Sequence, residues 1–352
     1  MMKTLFKISG FVVVGLSLLA GWLVLQYQSF TSTPLQLGNE TVVYEIQPGA
    51  NLTTISQDLK RKGIIEQPRY LRWYARLNGM ADHIQVGDYL LQPGMKPETF
   101  LEHINAGKVV QYSLTVIEGW TFRQMMEAVK QHPKLLQTLG DASDAEIMVR
   151  IGHGSEHPEG RFLPDTYLFP RNTTDVDFLT RAYDAAQEVL AEEWEKRQSD
   201  LPVKSAYEAL ILASIIERET AVTEERFAIS GVFTRRLIKG MRLQTDPTVI
   251  YGMGDAYQGN IRRRDLETYT PYNTYRIKGL PPTPIALPSA ASINAALHPD
   301  DSDNLYFVAR GDGSHHFSPN LKEHNNAVIK YQLKGRKKNF SSYKVSASNS
   351  KD

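Results

Sequence analysis

The longest apolar block comes first. Lys3 and Lys7 precede an uncharged stretch from Ile8 to Gln28, and the next charged residue is Glu40. As a helix, Ile8 to Leu25 would reach roughly 27 Å, close to the thickness of a bilayer core. Trp22 and Tyr27 stand near its outer end, where amphipathic rings favour the membrane interface. Lysines before the span and none just after it predict a cytoplasmic N-terminus at 1–7, a transmembrane helix at 8–28, and the rest of the chain outside, in the periplasm. A cleaved signal peptide would want a shorter apolar region and a small-residue cleavage site, and neither is evident. Leu19-Ala20-Gly21 begins like a lipid-attachment motif, but Trp22 stands where a thiol is needed.

After a polar stretch at 29–41, read as a linker, the periodicity changes repeatedly. Val42 to Ile46 alternates and predicts a strand, which Pro48-Gly49 ends. Asn51 can cap a helix through Lys62 with Leu52, Ile55 and Leu59 on one face, and Gly63 suits its stop. A second helix is predicted over Pro68–Leu77, a strand over Gly87–Leu91, and a short helix over Pro97–Ala106. Next come a strand over Val109–Val116, a helix over Phe122–His132, short helical pieces within Leu135–Gly154, and a long amphipathic helix over Asp175–Gln198. The fold class is therefore α+β: a transmembrane helix, a small module at 42–108, and a larger mixed domain at 109–335. Residues 336–352 are Lys/Ser/Asn-rich and read as a disordered tail. Strand, two helices and strand over about fifty residues resembles a LysM-like module, a fold that grips N-acetylated glycans. The alternative is a small α+β spacer without sugar affinity.

Composition narrows the function classes. The 352 residues carry 40 basic and 39 acidic side chains, so no overall field draws in nucleic acid. Cysteine is absent, which removes disulfides, thiol nucleophiles and thiolate metal sites.

The stretch Ser205–Thr220, SAYEALILASIIERET, carries the chemistry. Ser205 and Glu208 fit a capping box, and Leu210–Ile216 is apolar on every face, predicting a helix buried on most sides. Two acids stand at its end. Glu219 lies on the face of Ile215 and Ile216, where apolar neighbours would raise its pKa and suit a general acid. Glu217 points about 160° away and suits an ion pair with an arginine. On the helix pattern alone, both also fit a solvated or paired helix end.

The order of motifs decides between these readings. The chain runs EGRFLPDTYLFP (Glu159–Pro170), ASIIERETAV (Ala213–Val222), RLIKGMRLQTDPTVIYGMG (Arg236–Gly254), YNTYRIKGLPPTPIALP (Tyr272–Pro288) and YFVARGDGSHHFSPNLKEHN (Tyr306–Asn325). This resembles the MltG (YceG-like) family of endolytic murein transglycosylases over nearly the full chain. The resemblance implies a lyase acting on peptidoglycan glycan strands, with Glu219 as both acid and base and Glu217 as the alternative acid. It implies cleavage between MurNAc and GlcNAc that leaves 1,6-anhydro-MurNAc ends and limits strand elongation. It implies no metal or organic cofactor. The partners it implies are nascent glycan strands at the inner membrane and the synthases that polymerise and crosslink them.

Two rival functions stay in view: a muramidase that hydrolyses, and a non-catalytic murein-binding scaffold. A hydrolase wants a second carboxylate, for which Asp246 is the candidate, although Asp-Pro more often caps a turn or helix. Gln244, Asp246, Tyr272, Asn273 and Tyr275 are candidate substrate-binding residues, because amides and hydroxyls hold sugar substituents and aromatic faces stack on pyranose rings. Tyr272 and Tyr275 fit packed core equally well. Pro281-Pro282 and Pro284 predict a stiff loop beside the cleft, and Asp165 reads as a helix cap or, alternatively, as a residue that orients the site from behind. His315, His316 and His324 lack metal-ligand spacing, and Arg262-Arg263-Arg264 reads as a solvated face.

Overall fold

The computed structural model describes residues 2–333. The tail predicted from 336 lies outside the described residues. Helix α1 spans Met2–Ser32, and its stretch Gly10–Ser32 is long and apolar enough to cross a membrane. It runs four residues past the predicted end at 28. No breaker occurs before Pro34, and the hydroxyls of Thr31, Ser32 and Thr33 bond back to the carbonyls of Gln28 and Ser29. The polar stretch that reads as a linker thus begins as helix.

Two compact units follow from the packing. One holds the chain up to Tyr112 together with Leu168–Asn172; the other holds Ser113–Tyr167 and the chain from Thr173 on.

In the first unit, strands β1 (Val42–Ile46) and β2 (Gly87–Leu91) pair antiparallel, from Val42 opposite Leu91 to Ile46 opposite Gly87. The β1 alternation puts Tyr44 and Ile46 in the core and Val43 in solvent. Helices α2 (Leu52–Arg61), α3 (Pro68–Leu77) and α4 (Pro97–Ala106) cover the sheet. The Asn51 side-chain Oδ1 accepts from the amides of Thr53 and Thr54, and Gly107 ends α4 at φ 64°, a left-handed value that favours glycine. Leu59, Tyr70, Leu71, Phe100, Leu101 and Ile104 are fully buried among these elements. The segment Leu168–Asn172 is a distant part of the sequence that local pattern could not assign here. It brings Arg171, whose guanidinium lies 3.1 Å from the buried carboxylate of Asp88.

Strands β3 (Gln111–Thr115) and β4 (Thr166–Pro170) form a second two-stranded sheet. Asp165 therefore precedes a strand rather than a helix, which corrects the cap reading. Its carboxylate accepts from the Thr166 amide at 2.6 Å and its carbonyl from the Val116 amide.

The second unit is mainly helical. It comprises α5 (Phe122–Gln131), α6 (Asp144–Arg150), α7 (Asp175–Glu195), α8 (Ala206–Glu219), α9 (Arg226–Ile238), α10 (Asp246–Met253), α11 (Arg263–Glu267) and α12 (Ala290–Leu297). Strands β5 (Tyr306–Ala309) and β6 (His315–Ser318) then pair antiparallel, followed by α13 (Leu321–Tyr331). Helix α8 runs through the middle of the core. Every residue from Ala209 to Ile216 is buried, against Ile229 and Phe233 of α9 and Ile293, Ala296 and Leu297 of α12. Ser205 caps α8 by accepting from the Glu208 amide. The predicted capping box does not close, because the Glu208 carboxylate takes the Lys204 amide at 2.6 Å.

Candidate active site

The site grows from the end of α8. Thr220 adopts an extended backbone and stops the helix, so the last turn emerges from the core carrying Glu217 and Glu219. The chain around this turn is fixed from several sides. Ser214 is buried and its hydroxyl accepts from the Ile285 amide at 3.0 Å, which ties the proline-rich loop to α8. Gly160 lies so close to Pro284 that a Cβ there would sit 2.4 Å from its ring, and its φ of 78° also favours glycine.

Glu219 is half-buried, and the Thr245 hydroxyl donates to its carboxylate. Burial pushes this carboxyl up to about 7, and the nearby Asp246 charge pushes the same way; the Thr245 hydrogen bond, His315 and Arg236 oppose the rise. A group poised there can be neutral in one step and ionised in the next. Thr245 is itself buried and held: its amide donates to the Thr274 hydroxyl at 3.1 Å, and its carbonyl accepts from Thr248 at 2.8 Å. Arg236, also buried, donates to the Leu305 and Leu243 carbonyls at 2.7 Å each. That arginine pins the segment leading into Thr245 and leaves a cation near the carboxyl.

Glu217 sits differently. Its side chain is 5% exposed, and one oxygen lies 3.3 Å from Arg226, itself 6% exposed. The other oxygen accepts from the Ser289 amide at 2.9 Å and the Ser289 hydroxyl at 2.5 Å. Ser289 caps α12, so this carboxylate stands at a helix N-terminus, where negative charge is favoured. The expected ion pair with an arginine is present.

Asp246 opens α10 and is exposed; one of its oxygens accepts from the Tyr275 hydroxyl at 2.7 Å. The helix-cap reading is corrected here, since Thr245 holds the cap position and no side chain caps the helix. Gln244 is exposed at φ 53°, a left-handed conformation that costs a residue with a side chain. Asn273 is 1% exposed, and its amide nitrogen donates to the carbonyls of Asp265, Leu266 and Thr268. It organises a loop and offers no surface to a sugar, a correction to its candidate binding role. Tyr272 packs its ring 4.9 Å from that of Tyr251 and shares a hydrogen bond with Thr283. The packed-core alternative fits it better than stacking on substrate.

Glu159 was not singled out by sequence reasoning, and His315 was weighed there only as a metal ligand. Glu159, 4% exposed, accepts from the Phe122 amide at 2.9 Å and the Tyr251 hydroxyl at 3.1 Å, and burial pushes its carboxyl up to about 7. The only signal was its place in a quoted motif. His315 binds Glu225 through Nδ1 at 2.7 Å and through its amide at 2.8 Å, and its ring contributes to the field at Glu219. His316 and His324 go elsewhere, against the rings of Tyr331 and Tyr306. Arg263 and Arg264 are solvent-facing, as the charge run suggested.

Residues 44–330 match the YceG-like family, which covers the site and most of the chain. The chain belongs to the YceG-like family. An endolytic murein transglycosylase of Bacillus subtilis is 32% identical over 85% of this chain and 87% of its own length. One of Streptococcus pneumoniae is 27% identical over 93% of this chain and 65% of its own length. A crystal structure of a YceG-like protein from Listeria monocytogenes, 32% identical, superposes with a TM-score of 0.51 over 82% of this chain and 99% of that one. The YceG-like match spans every residue of the site, from Glu159 to His315.

Proposed function

We propose that this chain is an endolytic murein transglycosylase that cleaves the MurNAc–GlcNAc bond of nascent glycan strands, with Glu219 as the single acid and base. The observation that carries the reading is the Glu219 carboxyl itself: half-buried, lifted to about 7, and held by one threonine hydroxyl at the mouth of a buried helix. The names of its relatives in Bacillus and Streptococcus support the substrate class.

Neutral Glu219 gives its proton to the glycosidic oxygen as the C1–O bond of MurNAc breaks. The resulting carboxylate then accepts the proton of the same sugar's C6 hydroxyl as that oxygen bonds to C1. A 1,6-anhydro ring forms, Glu219 is neutral again, and no water is consumed. One carboxyl suffices because the nucleophile belongs to the substrate. A hydrolase would need a second carboxylate to activate water. Asp246 is the candidate for that role, and its hydrogen bond from Tyr275 occupies one oxygen.

In this reading α1 anchors the protein in the inner membrane with its N-terminus in the cytoplasm. The small unit carries a LysM-like grip on glycan. The enzyme meets strands as synthases extrude them, and its cuts limit their length. Mass analysis of murein digested by the purified protein tests the chemistry. Anhydro ends, lighter than hydrolysed ends by one water, are expected. Reducing ends alone would overturn the mechanism, and binding without any cleavage would favour a scaffold.

A further inference from the structure

Helix α3 carries a face that the small unit does not use. Tyr70, Leu71 and Ala75 point into the core. On the other side, spaced three and four apart, stand Arg69, Arg72, Trp73, Arg76 and Leu77. Trp73 is 43% exposed and Leu77 is 77% exposed, an unusual cost for two large apolar side chains on an otherwise well-packed module. Among the described residues none of the three arginines has a carboxylate within ion-pair distance; Arg69 donates to the Tyr70 hydroxyl at 3.2 Å, half-buried Arg72 to the Ser56 hydroxyl at 3.5 Å, and Arg76 is exposed.

The place of this face fixes its partner. Trp73, Arg76 and Leu77 line one apolar groove with Leu23, Val24 and Tyr27 of α1. Tyr27 stacks 6.5 Å from the Tyr74 ring and meets Tyr70 edge-on at 6.4 Å, so α3 is held against that turn. Leu23 to Tyr27 is the turn of the stretch Gly10–Ser32 where the apolar run ends at Leu25 and Gln26 and Gln28 begin, and Val24 and Leu25 are themselves exposed. Whatever solvates that turn of α1 also bathes the exposed face of α3.

We propose that α3 lies in the outer interface of the bilayer, with Trp73 and Leu77 among the upper acyl chains and Arg69, Arg72 and Arg76 on the phosphates of anionic lipids. Tryptophan and arginine on one helix face are the side chains that suit this boundary. The consequence is functional: the first module is seated on the membrane by two elements rather than tethered by one. The inference rests on the reading of α1 as a membrane span.

The cysteine-free sequence allows a direct test. Leu77→Cys, Leu16→Cys and Val149→Cys are each made in the full-length protein, labelled with an environment-sensitive fluorophore, and reconstituted in phosphatidylglycerol-containing vesicles at low protein density. Leu16 lies mid-span, and Val149 is an exposed residue of the other unit. The label at 77 is expected to be blue-shifted, quenched by headgroup-proximal spin-labelled lipid, and several-fold less accessible to aqueous iodide than the label at 149. Adding Arg69→Gln, Arg72→Gln and Arg76→Gln, or using vesicles of neutral lipid alone, is expected to restore iodide access at 77. A label at 77 as accessible as that at 149, with the label at 16 shielded, overturns the proposal and leaves the anchor standing. An accessible label at 16 overturns the anchor and the proposal with it. Shielding at 77 that appears only at high protein density assigns the groove to a second copy instead. Shielding indifferent to the arginines and to lipid charge overturns the anionic-lipid component.

Discussion

The two carboxyl groups at the end of α8 stand two residues apart and live in opposite surroundings. Glu217 is surrounded by an arginine, a serine hydroxyl and a helix N-terminus, all of which favour its charge. Glu219 has one threonine hydroxyl, an exposed acid nearby and His315 and Arg236 acting from further off, and burial lifts it to about 7. The same helix turn thus presents one acid tied into an ion pair and a helix cap and one able to change state. What separates them is not position on the helix but which distant segment arrives at each face: Ser289 and Arg226 at one, Thr245 and Asp246 at the other.

The largest effect expected from breaking this contrast is on catalysis. Glu219→Gln keeps the shape and the capacity to accept from Thr245 but cannot exchange the proton. Murein cleavage should fall roughly a hundredfold to ten-thousandfold while glycan binding and thermal stability stay near wild type. Residual activity within tenfold of wild type would move the acid elsewhere. Glu217→Gln should do the reverse. It leaves Arg226 buried without its main counter-charge, since its other partner, Glu118, is 54% exposed. Removing one member of a buried pair costs about 3–5 kcal/mol, so a lowered denaturation midpoint should dominate. A loss of turnover without a loss of stability would make Glu217 the acid.

How far this contrast could be read from sequence depends on which contacts are local. The elements between 42 and 106 follow from apolar spacing and caps within each segment, as at Asn51 and Gly107, and they form where the spacing places them. Glu219 stood out because an apolar run ended in an acid and because the surrounding motifs came in family order. The capping box at Ser205 failed on a choice of one residue between two amides. Asp165 and Asn273 were misread because their roles are set by a strand partner and by three loop carbonyls. Glu159 gave no signal beyond its place in a quoted motif: its hydrogen-bond partners Phe122 and Tyr251 are 37 and 92 residues away.

Glu159 supplies the next test. Its folded pKa of about 7 lies above the ordinary 4.5, so the folded state holds the proton more tightly than the unfolded chain. The associated stability is fully present below 4.5 and is lost as pH rises through about 7. Glu219 adds to the same trend, with the same window. Unfolding free energies from denaturant titrations should therefore decline between these pH values, by up to roughly 3 kcal/mol for a fully buried Glu159. Glu159→Gln should flatten the decline. An unchanged slope would mean that Glu159 is ionised in the fold.

The smallest change should sharpen the contrast most finely. Thr245→Val removes the hydroxyl that holds Glu219 down while keeping the side-chain volume close to that of threonine. The carboxyl should then rise further above about 7, because burial and Asp246 act without their main opponent. In the proposed mechanism Glu219 starts the reaction neutral, so activity should fall on the alkaline side of its pKa in the wild type. In the variant that limb should move to higher pH by up to about one unit. Thr245→Ser keeps the hydroxyl and should restore the wild-type profile. A limb that does not move in the valine variant, or moves equally in both, would show that the alkaline limb reports some group other than Glu219.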